Sequence, residues 1–338
     1  MKEFRNNSTD KRIKISAAQV VLLTIATVIS ALLGSLFCGS LVSYAAIALS
    51  AACLACLIYA TDSFYYLLSL LPVIAVGIIV SNAGVSILVS LVIVAAAVPI
   101  SLIPNKTKDR TSTLAYTILA MSVMTVAVLL VFLYLKTGSA SIKSLKGIYE
   151  PYVDVIKVEL KEFLAENEFS EEIISTSVGY VDVLIKTIVF HLPSILTITM
   201  TVIAYLTTVF FKLCLKLLGI FGDLADTKWE ISPGKAASVI YFISYLALIL
   251  LGSGEDVVSL TASNIMMIFT PAFVVVGVRV LYNWIKTRES KTFKVICYFT
   301  AVFSLVFNIS MFLTIFATSG AIISFVLRKK AIDIEKNK

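Results

Sequence analysis

Long apolar runs separated by short polar gaps dominate this chain, and nearly every second gap is rich in Lys and Arg. A helix that crosses a bilayer needs ~20 mostly apolar residues, because each adds ~1.5 Å against a hydrocarbon core of ~30 Å. Residues 17 to 37, 113 to 135 and 257 to 282 meet that length with few or no charges. The pattern predicts an all-α fold, a polytopic transmembrane helix bundle of about 10 (8 to 10) helices with one external amphipathic helical insert.

The first run is too long, and its flank too poor in an A-x-A site, for a cleaved signal peptide, so it is expected to stay as an anchor. The second, 41 to 60, is crowded with small residues from Ala45 to Cys56. Lipid supplies no hydrophobic drive between helices, so small residues that allow close approach place this helix inside the bundle. Residues 65 to 104 are apolar for about twice one crossing, and Ser81-Asn82-Ala83-Gly84 interrupts them with turn formers. Two helices joined by a tight turn are expected there.

Between 137 and 182 the chain turns polar. Ile142, Leu145, Ile148, Tyr152, Ile156, Leu160 and Phe163 recur at three- and four-residue spacing, the signature of an amphipathic helix. Ser170 before Glu171 and Glu172 marks the start of a second short helix, since a hydroxyl can cap it and acids suit its positive end. An interfacial helix packed on the bundle and a lid or partner-docking element both fit this segment. From Val183 to Leu218 a long helix is expected to bend or break at His191-Leu192-Pro193. Gly219, Gly222, Trp229, Pro233 and Gly234 then form a linker, followed by crossings at about 235 to 252 and 257 to 283, joined by Gly252-Ser253-Gly254-Glu255-Asp256.

The last run, 295 to 327, would measure ~50 Å as one helix, well beyond one hydrocarbon core. A single pass would also strand Arg328-Lys329-Lys330 outside, so a hairpin of two short helices turning between Asn308 and Thr318 is expected.

Charge sets direction. Lys2, Arg5, Lys11, Arg12 and Lys14 precede the first run, and most of the 28 Lys and Arg fall in alternate gaps or the two tails. The excess of basic residues in cytoplasmic loops then puts both the N-terminus and the C-terminus in the cytoplasm. The organisation that follows is a cytoplasmic basic tail (1–16), an N-terminal transmembrane helix block (17–135), an external amphipathic helical segment (136–182), a C-terminal transmembrane helix block (183–327) and a second cytoplasmic basic tail (328–338). Hydrophobic residues make up 59% of the chain, against the ~45–50% of soluble domains. The net charge of +7 is scattered over short loops, which argues for topology and anionic lipid and against nucleic acid.

Enzyme signatures are missing. The chain has no G-x-x-x-x-G-K-[ST] loop for phosphates and no G-x-S-x-G elbow, and its single His excludes an H-E-x-x-H zinc site. Neither an enzyme nor a cofactor is expected. Cys53-Leu54-Ala55-Cys56 puts two thiols on one side of a helix, where packing outweighs a redox or metal role, and Cys214 stands isolated.

Four positions remain as candidate substrate or helix-break sites: His191, Pro193, Asn264 and Arg279. A proline removes a backbone donor and frees a carbonyl, and polar groups beside such breaks are where transporters bind substrate or protons. His191 is otherwise an interfacial histidine satisfied by a carbonyl or water. Asn264 either bonds across to another helix or touches substrate. Arg279 either snorkels to lipid phosphate or makes an internal ion pair.

The order of parts carries a resemblance. His191-Leu192-Pro193-Ser194-Ile195-Leu196, then Trp229-Glu230-Ile231-Ser232-Pro233, with Asn264 and Gly277 in the following helix and Ser324-Phe325-Val326-Leu327-Arg328-Lys329-Lys330 near the end, resembles the YybS-like family of predicted bacterial membrane proteins. That family has a domain of unknown function, and its N-terminal part is similar to the substrate-binding membrane subunits of energy-coupling-factor vitamin importers. The uncharged run 319 to 327 departs from the family pattern, which has an acidic residue before the basic tail. The resemblance implies a multi-pass protein of a bacterial cell membrane, transporter-like, capturing a small molecule and energised by separate subunits. The competing expectation is a non-transporting scaffold or envelope-assembly factor. The lipid bilayer and other membrane proteins are the partners expected.

Overall fold

The structure is a computed structural model of the chain, and it describes residues 15–80, 83–102, 110–139, 144–219, 233–252 and 256–336. The N-terminal basic tail, the Ser81-Asn82 half of the expected tight turn, the basic gap 103–109, the linker with Trp229 and the turn residues 253–255 lie outside the described residues. So do Ile142, at the start of the amphipathic pattern, and the terminal Asn337 and Lys338.

Every regular element among the described residues is helical. In chain order the α-helices are α1 (Ala17–Leu36), α2 (Leu41–Thr61), α3 (Leu71–Ile79), α4 (Ala83–Leu102), α5 (Arg110–Thr137), α6 (Leu145–Glu166), α7 (Glu171–Phe190), α8 (Leu192–Leu217), α9 (Lys235–Leu251), α10 (Val257–Lys286), α11 (Lys291–Phe307) and α12 (Ile309–Lys336). Eight of them are long and apolar enough to cross a membrane: α1, α2, α4, α5, α7, α8, α10 and α12. The stretch Phe64–Ile79 and α9 are shorter apolar helices. The chain is an all-α polytopic helical protein, and its spans fall within the range that the sequence predicts.

The described chain divides into two compact units, one formed by 1–144 with 199–229 and the other by 145–198 with 230–338. In the first unit α2 forms the centre, as its small residues predict. Ala48, Ala51, Ala52, Ala55 and Ser50 are fully enclosed. Close approach lets hydroxyls of α2 reach carbonyls of α1: Ser50 Oγ donates to the Thr27 oxygen at 2.9 Å and Ser43 Oγ to the Gly34 oxygen at 3.1 Å. Ser35 of α1 meets Ser86 of α4 at 2.7 Å between hydroxyls. The large apolar side chains point the other way. On α1, Val21, Leu22, Ile25 and Ile29 are exposed, whereas Thr27, Ser30, Ala31 and Gly34 are buried. Small and hydroxylated residues inside with branched hydrocarbon outside is the arrangement expected when the solvent is lipid.

Residues 64 to 80 are not the plain helix that the apolar run predicts. Phe64–Leu70 is a 3-10 helix, and the α-helix starts only at Leu71. Pro72 stands at the opening of α3, where its missing N–H leaves no helix bond unmade.

In the second unit α6 and α7 form an antiparallel hairpin tied by an ion pair between Lys157 and Asp182. The helix that begins at Ser170 is not short. The Ser170 hydroxyl caps it, and it runs through the expected boundary near 182 to Phe190 without burying a residue. Asp182, at the expected end of the insert, and Lys186, beyond it, both line the cleft against α6.

The packing of α10 against α12 depends on two glycines. A Cβ added at Gly277 would overlap the Phe316 carbonyl, and one at Gly320 would overlap the Phe273 carbonyl. Residue 277 thus lies beside 316 and 273 beside 320, which makes the helices antiparallel. Tyr241 of α9 joins Phe273, Ala317 and Ala321 in the local core, its ring 5.1 Å from that of Phe273.

This register overturns the expected final hairpin of two crossings. The chain does break at Asn308, whose side chain accepts from Met311 N at 3.0 Å and starts α12. However, α12 begins level with the C-terminal end of α10, where α11 also begins. Phe293 of α11 packs on Trp284 at 5.5 Å between ring centroids and Tyr298 lies 6.5 Å from Tyr282, so α11 starts, passes and ends near one end of α10. Only α12 returns along the unit, and it carries the last described residues towards the opposite end of α10. Total hydropathy misled here, because a helix lying across a bundle end and a short crossing can be equally apolar.

Two outcomes test this fold. Gly320→Ala and Gly277→Ala should each destabilise the protein by about 1–3 kcal/mol in detergent unfolding, since backbone has to move. Gly84→Ala, which meets nothing within 4 Å, should not. Single cysteines at Arg288 and Lys336 should label with an impermeant maleimide from opposite sides of the membrane; labelling from one side would restore the hairpin.

Candidate functional site at the interrupted helix

The break between α7 and α8 is one residue long. His191 closes α7 with φ −97° and ψ 8°, donating its N–H to the Thr187 oxygen at 3.0 Å. Its own carbonyl accepts from Ile195 N at 2.9 Å and from Ser194 Oγ at 2.8 Å. Pro193 is exposed in the first turn of α8, the one place in a helix where a missing N–H costs nothing.

A helix break leaves carbonyls without donors on one side and N–H groups without acceptors on the other. Asn264 of α10 supplies both. Its Nδ2 donates to the Phe190 oxygen at 2.9 Å and to the Leu260 oxygen of its own helix at 2.9 Å, and its Oδ1 accepts from Ser194 N at 3.3 Å. One amide therefore caps the end of α7 and the start of α8 together. Met267, one turn along α10, brings its sulfur to 3.6 Å from Ser194 Oγ. His191 Nδ1 is buried beside this clasp and has no hydrogen-bond partner among the described residues.

Phe190 connects the clasp to a cleft. Its ring lies under Lys186 Nζ at 5.6 Å. The cleft between α6 and α7, of about 400 Å³, is lined by Glu150, Asp154, Lys157, Asp182, Lys186 and Phe190 among others. Three carboxylates and two ammonium groups share this space, with Lys157 bridged to Asp182. The cleft can hold a polar or charged small molecule against the ring of Phe190, the residue before His191.

Of the four candidates read from the sequence, the structure brings His191, Pro193 and Asn264 together. Arg279 does not join them: it is exposed and sits roughly 22 Å along α10 from Asn264, at ~1.5 Å per residue. Ser194 and Met267 escape sequence reasoning, although a serine directly after a helix-opening proline is a signal for a backbone donor in need of an acceptor. The cysteines also differ from expectation. Cys214 is not isolated, since α8 brings its thiol into hydrogen-bonding range of Cys53 and Cys56 in the first unit. All three thiols are free, and Cys56 donates weakly to the Phe211 oxygen at 3.8 Å. Among the described residues no group of three or more His, Cys, Asp or Glu is arranged to hold a metal ion.

Enclosed small residues, outward hydrocarbon and long apolar helices with an interrupted one among them define a multi-pass α-helical membrane protein. Comparison with protein-family models, curated proteins and solved structures finds no match to this chain.

Asn264→Leu should cost about 1–3 kcal/mol in detergent unfolding, because the Phe190 carbonyl and the Ser194 N–H lose their partner away from water. Asn264→Asp should cost as much, since its second oxygen would face the Phe190 and Leu260 carbonyls. Equal stability of all three proteins would remove the clasp from the account of the break.

Proposed function

We propose that the protein is transporter-like, a membrane subunit that captures a small molecule at the interrupted helix and is energised by separate partners. The observation that carries this reading is His191 Nδ1, buried beside the Asn264 clasp and without a partner among the described residues. Polar groups away from water normally find partners. Interrupted helices whose ends face polar groups are the means by which transporters bind ions and substrates. The charged cleft, which Phe190 also lines, offers a first contact. The resemblance to the YybS-like family, and through it to vitamin-importer subunits, points the same way. No catalytic role is proposed. The proposed setting is a bacterial cell membrane with the N-terminus in the cytoplasm.

A second reading, a scaffold for envelope proteins, draws support from α7, which buries none of its residues and exposes Tyr180, Val183, Leu184 and Ile188.

Thermal unfolding of the purified chain against vitamins, nucleobases and amino acids tests the choice. A ligand at 100 times its Kd raises stability by about 2.7 kcal/mol. His191→Gln should abolish that gain while leaving the unliganded protein nearly as stable, because the imidazole Nδ1 contributes no hydrogen bond. A gain that survives in His191→Gln would move the site elsewhere. No gain with any compound, together with co-purifying envelope proteins, would favour the scaffold.

A further inference from the structure

We propose that α11 is a membrane-surface helix that binds anionic phospholipid, its outer face resting in the acyl layer of one leaflet while Lys286, Arg288 and Lys291 engage headgroup phosphate.

The sequence makes 291–307 look like half of a crossing pair, but both its ends lie near the same end of α10. A helix that neither crosses nor enters the core has to satisfy two different surroundings along its length. Lys294, Cys297 and Ala301, at three- and four-residue spacing, are half-buried and turn inward. Val295, Ile296, Phe299, Val302 and Phe303 form a stripe on the other side, and Val295 and Phe299 are 66% and 69% exposed. Phe299 and Phe303 stack on each other at 6.1 Å between centroids, which keeps two aromatic rings on that outer face. In a chain that spans a bilayer, such a stripe at the end of a bundle fits the leaflet boundary, where amphipathic helices bury one face by ~5–10 Å.

Charge names the lipid. Four basic residues fall between 286 and 294 against the single acid Glu289, and Lys286, Arg288 and Lys291 are exposed. The Arg288 guanidinium lies 4.6 Å over the Trp284 ring, an aromatic of the kind that settles at headgroup level. Stacking fixes the position of that charge, and guanidinium and ammonium donors suit phosphate oxygens. A protein groove would match the apolar stripe equally well, but not a row of cations beside it, whereas an anionic leaflet matches both.

The experiment uses the full chain in phosphatidylcholine vesicles with and without phosphatidylglycerol. Nitroxides are placed at Val295→Cys, Phe299→Cys or Val302→Cys, with Cys38→Ser and Cys297→Ala to limit other labelling. Collision with oxygen and with a nickel chelate should give one shallow depth for all three. A helix crossing upright would instead change depth by ~10 Å between 295 and 302, and that gradient would overturn the proposal. So would labels screened from both lipid and solvent together with cross-linking of two copies through Phe299→Cys, since the stripe would then be a protein interface.

For the headgroups, K286Q, R288Q and K291Q combined should lower the retention of phosphatidylglycerol relative to phosphatidylcholine roughly fivefold or more on purification. Unchanged retention would overturn the assignment of the basic residues. If the combined variant fails to fold, R288Q and K291Q are read singly against the same two outcomes.

Discussion

Helices in lipid have to satisfy every backbone polar group from within the chain, and this constraint shapes both units. It makes continuous helix the default along the apolar runs. It also turns each interruption into a place where another helix must supply hydrogen bonds. Because lipid is as apolar as the side chains facing it, helices are held together by close approach and by hydroxyl or amide bonds. The serines of α2 against carbonyls of α1 are one solution, and the glycines between α10 and α12 are another.

The α7–α8 break follows from the same constraint. Pro193 cannot continue the ladder from α7, so a carbonyl and an N–H are released at once, and Asn264 has the donors and the acceptor to take both. That leaves His191 with its main chain bonded and Nδ1 unpaired among the described residues. A polar group so placed costs stability unless something binds it, which is why the functional proposal centres there. The charged cleft of the α6–α7 hairpin meets the clasp at Phe190, through the ring on one side and the carbonyl on the other.

Much of the architecture was legible because membrane helices announce themselves by length and hydropathy. The small residues of 41–60 predicted an interior helix, Ser170 predicted a cap, and His191-Leu192-Pro193 predicted a break, each by a local mechanism. The failures occurred where hydropathy is silent about direction. The run 295–327 has the length of two crossings, but α11 lies across a bundle end and only α12 returns. In the same way the expected boundary near 182 falls inside α7, which runs unbroken from Glu171 to Phe190. Cys214 looked solitary because nothing in a sequence pairs a residue of α8 with a turn of α2.

What the sequence determined by itself is the class: an all-α multi-pass chain, with its spans, its break and the residue types available at that break. These depend on transfer of local segments from water to lipid, a property of composition and spacing. Tertiary structure decided that Asn264 caps Phe190 and Ser194, that Arg279 stands apart, and that α12 runs antiparallel to α10. Those depend on which small residues allow which backbones to touch. Close contact between residues 273 and 320 is a matter of shape, and hydrophobicity along the chain does not encode it.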